Sequence, residues 1–173
     1  TGLVTGISIG TVTLTATSAG DTNYNVATTS QLIAIGKTTP VLTITSANTL
    51  NVDGTLTATV STTATFGRGG AITYAVVAGS GSATVNSNTG LVTGISIGTV
   101  TLTATSAGDT NYNVATTSQL ITIGKTTPVL TITSANTLNV NSSLTATVTT
   151  TATLGRGGAF TYAITAGSGS ATV

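Results

Sequence analysis

The sequence predicts an all-β protein made of antiparallel sheets, and three features of its 173 residues indicate this. Apolar and polar residues alternate with a period of two along several stretches, which is the pattern of a strand with one buried face. Threonine supplies most of the polar positions, and its branched Cβ suits a pleated, solvated surface. Clusters of Gly, Asn and Ser separate these stretches and supply turns between strands.

Three stretches show the alternation most clearly: TVTLTAT at residues 99–105, TLTATV at 55–60 and AITYAVVA at 71–78. Each places its apolar side chains on one face and its threonines or other small residues on the opposite face. The residues expected on the buried faces are Val100, Leu102 and Ala104 in the first stretch, Leu56, Ala58 and Val60 in the second, and Ile72, Tyr74 and Val76 in the third.

A repeat of 88 residues sets the domain organisation. The segment that starts at Thr1 recurs from Thr89, and of the 85 positions that can be paired, nine differ. About six to seven strands in one such period are typical of an immunoglobulin-like sandwich of two antiparallel sheets. The sequence therefore predicts tandem immunoglobulin-like β-sandwiches, with about seven strands in each repeat.

The composition argues against an enzyme. The chain has no Cys and no His, so it lacks the common pairs of nucleophile and base, soft metal ligands and a disulfide framework. Each repeat offers at most two acids, and Asn141 replaces Asp53 in the second copy. The basic residues are Lys37, Arg68, Lys125 and Arg156, and the acids are Asp21, Asp53 and Asp109. We expect no catalytic, cofactor-binding or metal-ligating residue and no cofactor.

The charge and the apolar runs also limit the partners. The net charge of +1 gives no electrostatic footprint for nucleic acid. No apolar run approaches the roughly 20 residues that a membrane-spanning helix needs. We therefore expect neither a nucleic-acid partner nor membrane insertion of this segment.

The hexapeptide GDTNYN occurs at residues 20–25 and again at 108–113, and it has two interpretations. An aspartate followed by asparagines resembles the start of a calcium loop, but from Asp109 such a loop would need Gly at position six and Glu at position twelve. The sequence has Val114 and Leu120 there. We predict instead a turn in which Asp109 and the asparagines bond their own backbone, while Tyr112 packs its ring on the sandwich and hydrogen-bonds through its hydroxyl.

Two smaller predictions concern the arginines and an exchange of aromatic residues between the two copies of the repeat. Arg68 and Arg156 each lie in a GRGG box, which without a second basic residue nearby indicates a solvated loop rather than an RNA-binding repeat. Phe66 in the first copy corresponds to Leu154, while Ile72 corresponds to Phe160. This exchange is typical of a volume-conserving swap in one pocket, so residues 66 and 72 should touch, as should 154 and 160.

The stretch SATVNSNTGLVTGISIGTVTLTATSAG at residues 82–108 resembles bacterial immunoglobulin-like domains, especially those of group 2. The shared features are a TG-x-V-TG strand, a glycine and a T-x-T-x-T-A-T strand. GDTNYN is similar to the turn before the last strand in related repeats of large bacterial surface proteins. The resemblance implies a stalk or spacer role in adhesins and other surface proteins, and it transfers no catalytic residue.

The low charge favours the same role. Charged residues make up 4% of the chain, against roughly a quarter in an average soluble domain. Such a surface suits an extracellular fibre, so we predict a structural repeat of a long fibre or adhesin stalk at the cell surface. The alternative is a module that binds carbohydrate, or ice through flat arrays of threonine. Aromatic residues, which usually form sugar-binding platforms, make up 3%.

The KTTP stretch at Lys37 and Lys125 follows a last strand and sets the expected boundaries. Residues 37–124 form a complete domain, residues 1–36 match the C-terminal half of a repeat, and residues 125–173 match the N-terminal half. Half a sandwich exposes an apolar face and open edges, and the complete domain should hold the two halves at its opposite ends. We therefore predict that residues 125–173 of one copy pack against residues 1–36 of the next in a head-to-tail fibre. The neighbours are either separate subunits or repeats of one continuous chain.

Overall fold

The structure is a computed structural model that describes residues 2–65, 69–153, 158–165 and 167–173. Within these ranges it contains thirteen strands and no helix, which confirms the all-β fold class. The strands are β1 (Gly10–Ser18), β2 (Ala27–Ile35), β3 (Leu42–Ile44), β4 (Thr49–Asn51), β5 (Thr55–Thr57), β6 (Val60–Thr62), β7 (Ile72–Ala78), β8 (Ser82–Val85), β9 (Leu91–Ser96), β10 (Gly98–Ser106), β11 (Ala115–Gly124), β12 (Leu130–Ile132) and β13 (Val148–Thr150).

The chain divides into two compact units, residues 1–124 and residues 125–173. The first unit contains β1 to β11, and the second contains β12 and β13. The three-segment division predicted from the sequence, with boundaries at residues 36 and 124, stays a prediction.

A two-layer sandwich occupies residues 42–124. One sheet has the strand order β4-β11-β10-β7, in which β4 runs parallel to β11 and the other neighbours are antiparallel. The opposite layer contains the sheet β5-β9-β8 and the pair β3-β6. Two layers that are antiparallel except for the short edge strand β4 form an immunoglobulin-like β-sandwich, as the sequence predicts.

The sandwich contains nine strand segments where about seven strands were expected, and the difference has a simple cause. Segments β5 and β6 are one stretch interrupted at Ala58 and Thr59, because β5 pairs with β9 and β6 pairs with β3. Segments β3 and β4 follow each other along the chain but pair in opposite layers. Joining each of these two pairs leaves seven strand positions.

The core lies between the two layers and follows the predicted alternation. Val100 and Leu102 of β10 are fully buried, and Ala104 lies beside them. Ala58 and Val92 come from the opposite layer, and Leu56, Tyr74 and Val76 pack half-buried against the same cluster. The other predicted inward residues, Val60 and Ile72, are half-buried. The alternation of TVTLTAT therefore identified the central strand of the core correctly.

The hairpin β1-β2 repeats the pairing of β10-β11 residue for residue. Gly10 pairs with Ile35 at one end and Ser18 with Ala27 at the other, while Gly98 pairs with Ile123 and Ser106 with Ala115. The stretch at residues 3–8, which corresponds to β9, is not a strand.

The second unit has the sequence of residues 37–85 with few changes, yet it forms only β12 and β13 among its described residues. These two strands correspond to β3 and β6, which pair with each other. In the sandwich, β4 pairs with β11, β5 and β8 pair with β9, and β7 pairs with β10. The second unit contains no sequence equivalent to β9, β10 or β11, so its other segments have no strand to pair with inside the unit.

Two predictions fall outside the described residues. Phe66 and Leu154 belong to the proposed swap with residues 72 and 160, and Arg68 and Arg156 belong to the GRGG loops.

Candidate functional site

The turn at residues 108–113 is built around the carboxylate of Asp109. Its Oδ1 accepts hydrogen bonds from the backbone N–H groups of Asn111 (2.8 Å) and Tyr112 (2.9 Å). The backbone N–H of Asp109 donates to the carbonyl oxygen of Tyr112 at 3.0 Å, which closes the turn. Asp and Asn favour such turns because a short polar side chain can bond the backbone two residues further on. The structure confirms the turn predicted for this hexapeptide.

The same carboxylate also holds a second loop. Oδ2 of Asp109 accepts a hydrogen bond from the backbone N–H of Gly69 at 3.1 Å, and the buried hydroxyl of Ser106 donates to the carbonyl oxygen of Gly69. Both oxygens of Asp109 are therefore occupied by protein donors. No group of three His, Cys, Asp or Glu side chains able to hold a metal ion occurs among the described residues.

Tyr112 closes the end of the sandwich as predicted. Its side chain is 7% exposed, and its hydroxyl accepts a hydrogen bond from the backbone N–H of Thr65 at 3.0 Å. Because the ring is buried and the hydroxyl is bonded, Tyr112 joins this turn to the loop that follows β6.

The asparagines of the turn do not bond their own backbone, contrary to the prediction. Oδ1 of Asn111 accepts a hydrogen bond from the backbone N–H of Ile9 at 3.2 Å, in the segment before the sandwich. Nδ2 of Asn113 donates to Oγ1 of Thr39 at 3.0 Å. Because Asp109 already satisfies the local N–H groups, the asparagine side chains bond to neighbouring segments instead.

The linker at residues 37–40 is fastened to this turn, which sequence reasoning missed. Nζ of Lys37 donates to the carbonyl oxygen of Asp109 at 2.8 Å. Thr38 forms a parallel bridge with Tyr112, and Pro40 is buried. KTTP and GDTNYN each occur once in each copy of the repeat. This recurrence was the available signal that the two stretches contact each other.

The first copy of the hexapeptide has the same local geometry in a different environment. Oδ1 of Asp21 accepts hydrogen bonds from the backbone N–H groups of Asn23 (2.7 Å) and Tyr24 (2.9 Å). The side chain of Tyr24, however, is 75% exposed. The local turn thus forms from the hexapeptide alone, whereas burial of the tyrosine requires the segments that surround Tyr112.

The apolar face of β1 is exposed to solvent, as the side chain of Tyr24 is. Val12 and Leu14 are each 41% exposed, while their equivalents Val100 and Leu102 are 0% exposed. The two hairpins have the same sequence except for Ala34, which corresponds to Thr122. The difference in exposure therefore comes from what packs on each hairpin and not from the residues themselves.

The outer face of β10 carries the threonines that the ice-binding or carbohydrate-binding alternative would use. Thr99, Thr101, Thr103 and Thr105 alternate with the core residues of that strand and are half-buried. Oγ1 of Thr103 bonds to Oγ of Ser118 at 2.9 Å across the sheet. The apolar side chains of Val77 and Leu120 are exposed on the same face, at the pairing positions of Thr101.

The third acid also lies in a turn. Asp53 has a positive φ of 63°, and the backbone N–H of Gly54 donates to the carbonyl oxygen of Asn51 at 2.9 Å. Asn141 has a φ of 65° at the equivalent position of the second unit. Asp and Asn tolerate this left-handed conformation better than most residues, which explains the exchange between the copies.

Residues 37–118 match the family model of the bacterial Ig-like domain, group 2. This span begins at the KTTP linker and includes the turn at Asp109 and the start of β11. No curated protein matches the chain significantly. Among the residues that the structure describes, no helix is long and apolar enough to cross a membrane.

Proposed function

The chain carries a bacterial Ig-like domain of group 2 at residues 37–118, and from this premise we propose that it is a structural segment of a long fibre or adhesin stalk at a bacterial cell surface. In this proposal the chain has no enzymatic role. It serves as a spacer, and its copies join end to end to extend the stalk. Residues 1–36 of one copy are completed by residues 125–173 of a neighbouring copy, and the contact repeats head to tail.

One observation carries this proposal: the same hairpin sequence is covered in β10-β11 and uncovered in β1-β2. In the sandwich, the cover comes mainly from the opposite layer, where Ala58 and Val92 belong to the core and Ile44 and Leu56 pack against it, while Leu50 packs against the core from β4 at the edge of the same sheet. A hairpin that packs against a given partner sequence in one copy of a repeat is expected to pack against the same partner sequence in another copy.

The second unit offers that partner sequence with its apolar side chains exposed. The residues equivalent to the cover are Ile132, Leu138 and Leu144, which are 70%, 50% and 43% exposed. Full burial of a Leu, Ile or Val side chain contributes about 1.5–3 kcal/mol. Joining the two surfaces therefore removes apolar area from water on both sides.

The unpaired strand edges of the second unit also favour residues 1–36 of a neighbouring copy as its partner. Among the described residues of the second unit, the segments equivalent to β4, β5, β7 and β8 form no strand pairing, and the partners they would need are equivalent to β9, β10 and β11. Residues 3–36 of a neighbouring copy contain those equivalents. Main-chain pairing to an open edge is a common way for proteins to complete a sheet.

The turn adds a specific contact. In the complete sandwich, Nζ of Lys37 donates to the carbonyl oxygen of Asp109. Lys125 and Asp21 are the equivalent residues, so Lys125 of one copy is expected to bond the carbonyl oxygen of Asp21 in the next. The exposed ring of Tyr24 then becomes buried as Tyr112 is. Because the two surfaces are different, the contact is heterologous and extends into a fibre.

The proposal is tested by measuring the mass of the purified 173-residue chain over a range of concentrations. We expect a ladder of multiples of 16.7 kDa that shifts to larger species with concentration. Leu14→Asp places a charge on the uncovered face and should abolish the ladder, while Thr13→Asp on the opposite face of β1 should retain it. A chain that remains a monomer at all concentrations contradicts head-to-tail completion.

Material from the native source distinguishes the two kinds of neighbour. After boiling in denaturant, a band near 16.7 kDa indicates separate subunits, and a very large band indicates repeats of one continuous chain. Surface labelling of intact cells with an antibody to the chain tests the proposed location.

Binding of ice or carbohydrate is the second candidate function, favoured by the row of threonines on the outer face of β10. Alternate residues of a strand lie about 6.6–6.8 Å apart, so the row presents hydroxyls at a regular spacing. An ice-recrystallisation assay and a glycan array test it, and each should be negative if the chain is only a spacer.

A further inference from the structure

The segment before β3 is bonded to the residues just before β11 by a parallel contact. The backbone N–H of Thr38 donates to the carbonyl oxygen of Asn111 at 3.1 Å, and the backbone N–H of Asn113 donates to the carbonyl oxygen of Thr38 at 2.9 Å. The side-chain bonds from Lys37 and Asn113 strengthen the same patch. We name this contact the linker patch.

A second parallel contact lies at the other end of β11. Thr49, Leu50 and Asn51 of β4 pair with Thr122, Ile123 and Gly124. Two bonds flank this pairing: Thr122 N–H donates to Asn48 C=O and Val52 N–H donates to Gly124 C=O, each at 2.9 Å. We name this contact the β4 patch. Among the described residues, the linker patch and the β4 patch are the parallel pairings of the structure.

The direction of the strands decides how these patches respond to tension. A pull on the chain before Lys37 and after Gly124 draws Thr38 and β4 toward the N-terminal side and β11 toward the C-terminal side. Parallel strands pulled in this way slide along each other, so all hydrogen bonds of a patch carry the load together. Strands pulled apart from the same end open one bond at a time.

We propose that the linker patch and the β4 patch form a mechanical clamp, which gives the domain at residues 37–124 the further function of resisting tension along the chain. The linker patch lies just before β11 and the β4 patch at its C-terminal end, so the N-terminal segment is held at two points that flank most of β11. Leu50 and Ile123 of the β4 patch also belong to the core or pack against it, which shields those bonds from water.

This inference rests on the proposed stalk function, because only a module under tension would use a clamp. The two can fail separately. The stalk function is tested by assembly and location, while the clamp is tested by the force needed to unfold the domain in two pulling directions.

The absence of cysteine from the chain allows the pulling axis to be chosen by two introduced cysteines in the full 173-residue protein. Gly36→Cys with Lys125→Cys loads the clamp in shear, since the two residues flank the domain. Thr55→Cys with Lys125→Cys peels β4 away from β11 starting at Gly124. Lys125 and Thr55 are exposed, and a Cβ at Gly36 meets no atom within 4 Å, so all three positions accept the change.

We expect the unfolding force in shear to be at least about twofold higher than in peeling, because several hydrogen bonds share the load. Both double variants should melt at the same temperature, so a difference in force reports direction and not stability. Equal forces in the two directions overturn the proposal.

A further pair of variants tests the linker patch alone. In the shear geometry, Thr38→Pro removes the N–H that bonds Asn111 and should lower the unfolding force. Thr126→Pro makes the same change at the equivalent position of the second copy, outside the pulled span, and should leave the force unchanged. A Thr38→Pro variant that unfolds at the force of the parent removes the linker patch from the clamp.

Discussion

Oδ1 of Asn111 accepts a hydrogen bond from the backbone N–H of Ile9 at 3.2 Å, and this bond connects residues 1–36 to the turn of the complete sandwich. Beside it lies a cavity of about 290 Å³ whose lining includes Ile7, Ile35, Thr63 and Tyr112. The hairpin is therefore joined to the sandwich by this hydrogen bond in addition to the covalent linker.

The first prediction concerns this junction. Asn111→Ala removes the acceptor of the Ile9 N–H, so the amide of Ile9 should exchange its hydrogen with solvent faster. Asn23→Ala changes the equivalent residue of the first hexapeptide and should leave that exchange rate as it is. Hydrogen exchange followed by NMR measures both. An unchanged rate for Ile9 in Asn111→Ala contradicts the bond.

The second prediction concerns the carboxylate of Asp109. Asp109→Ala leaves the N–H groups of Asn111, Tyr112 and Gly69 without their acceptor, and we expect a loss of about 1–3 kcal/mol in the free energy of unfolding. Asp21→Ala breaks only the hydrogen bonds within its own turn, so it should change the free energy of unfolding of the sandwich little. Denaturant unfolding followed by tyrosine fluorescence compares the two, and equal losses contradict the role of Asp109 in holding the Gly69 loop.

The third prediction concerns calcium. Both carboxylate oxygens of Asp109 already accept hydrogen bonds from the protein, so calcium should not raise the melting temperature. Thermal melting with and without added calcium tests this, with magnesium as a control. A large increase with calcium alone contradicts the interpretation of GDTNYN as a turn.

The fourth prediction compares two tyrosines. Tyr112→Phe leaves the N–H of Thr65 without its acceptor and should lower the free energy of unfolding of the sandwich by about 1–2 kcal/mol. Tyr24→Phe should not change the stability of the monomer, because Tyr24 is exposed there. If copies assemble head to tail as we propose, Tyr24 takes the place of Tyr112, so the same variant should weaken association measured by the mass of the oligomers.

The sequence predicted the parts of the fold that depend on local pattern. The alternation in TVTLTAT identified Val100 and Leu102 as core residues, since a period of two places every second side chain on one face. The Asp of GDTNYN indicated a turn for a similar reason, because its bonds span only two or three residues.

The parts that the sequence did not predict depend on contacts between distant segments. Thr38 meets Tyr112 in a single parallel bridge, which leaves no periodic signal in either stretch. Asn111 bonds Ile9 across about a hundred residues, although its side chain could equally have capped its own turn. The breaks between β3 and β4 and between β5 and β6 arise because each segment changes its pairing partner.

The last prediction uses one glycine and its copy. Gly70 has a φ of 86°, and a Cβ at this position would collide with the carbonyl group of Gly108 in the turn at Asp109. Gly70→Ala therefore combines an unfavourable backbone conformation with a steric clash, and it should lower the free energy of unfolding of the sandwich by roughly 1–3 kcal/mol.

Gly158 is the equivalent residue of the second unit, with a φ of 79°, and a Cβ at this position would meet no atom within 4 Å. Gly158→Ala should leave the melting of the sandwich in dilute monomer unchanged. If residues 125–173 pack on residues 1–36 of a neighbouring copy in the geometry of the sandwich, the new methyl group meets Gly20 as it would meet Gly108 at Gly70. The variant should then shift the oligomer ladder to higher concentration, and a Gly158→Ala chain that assembles like the parent contradicts that geometry.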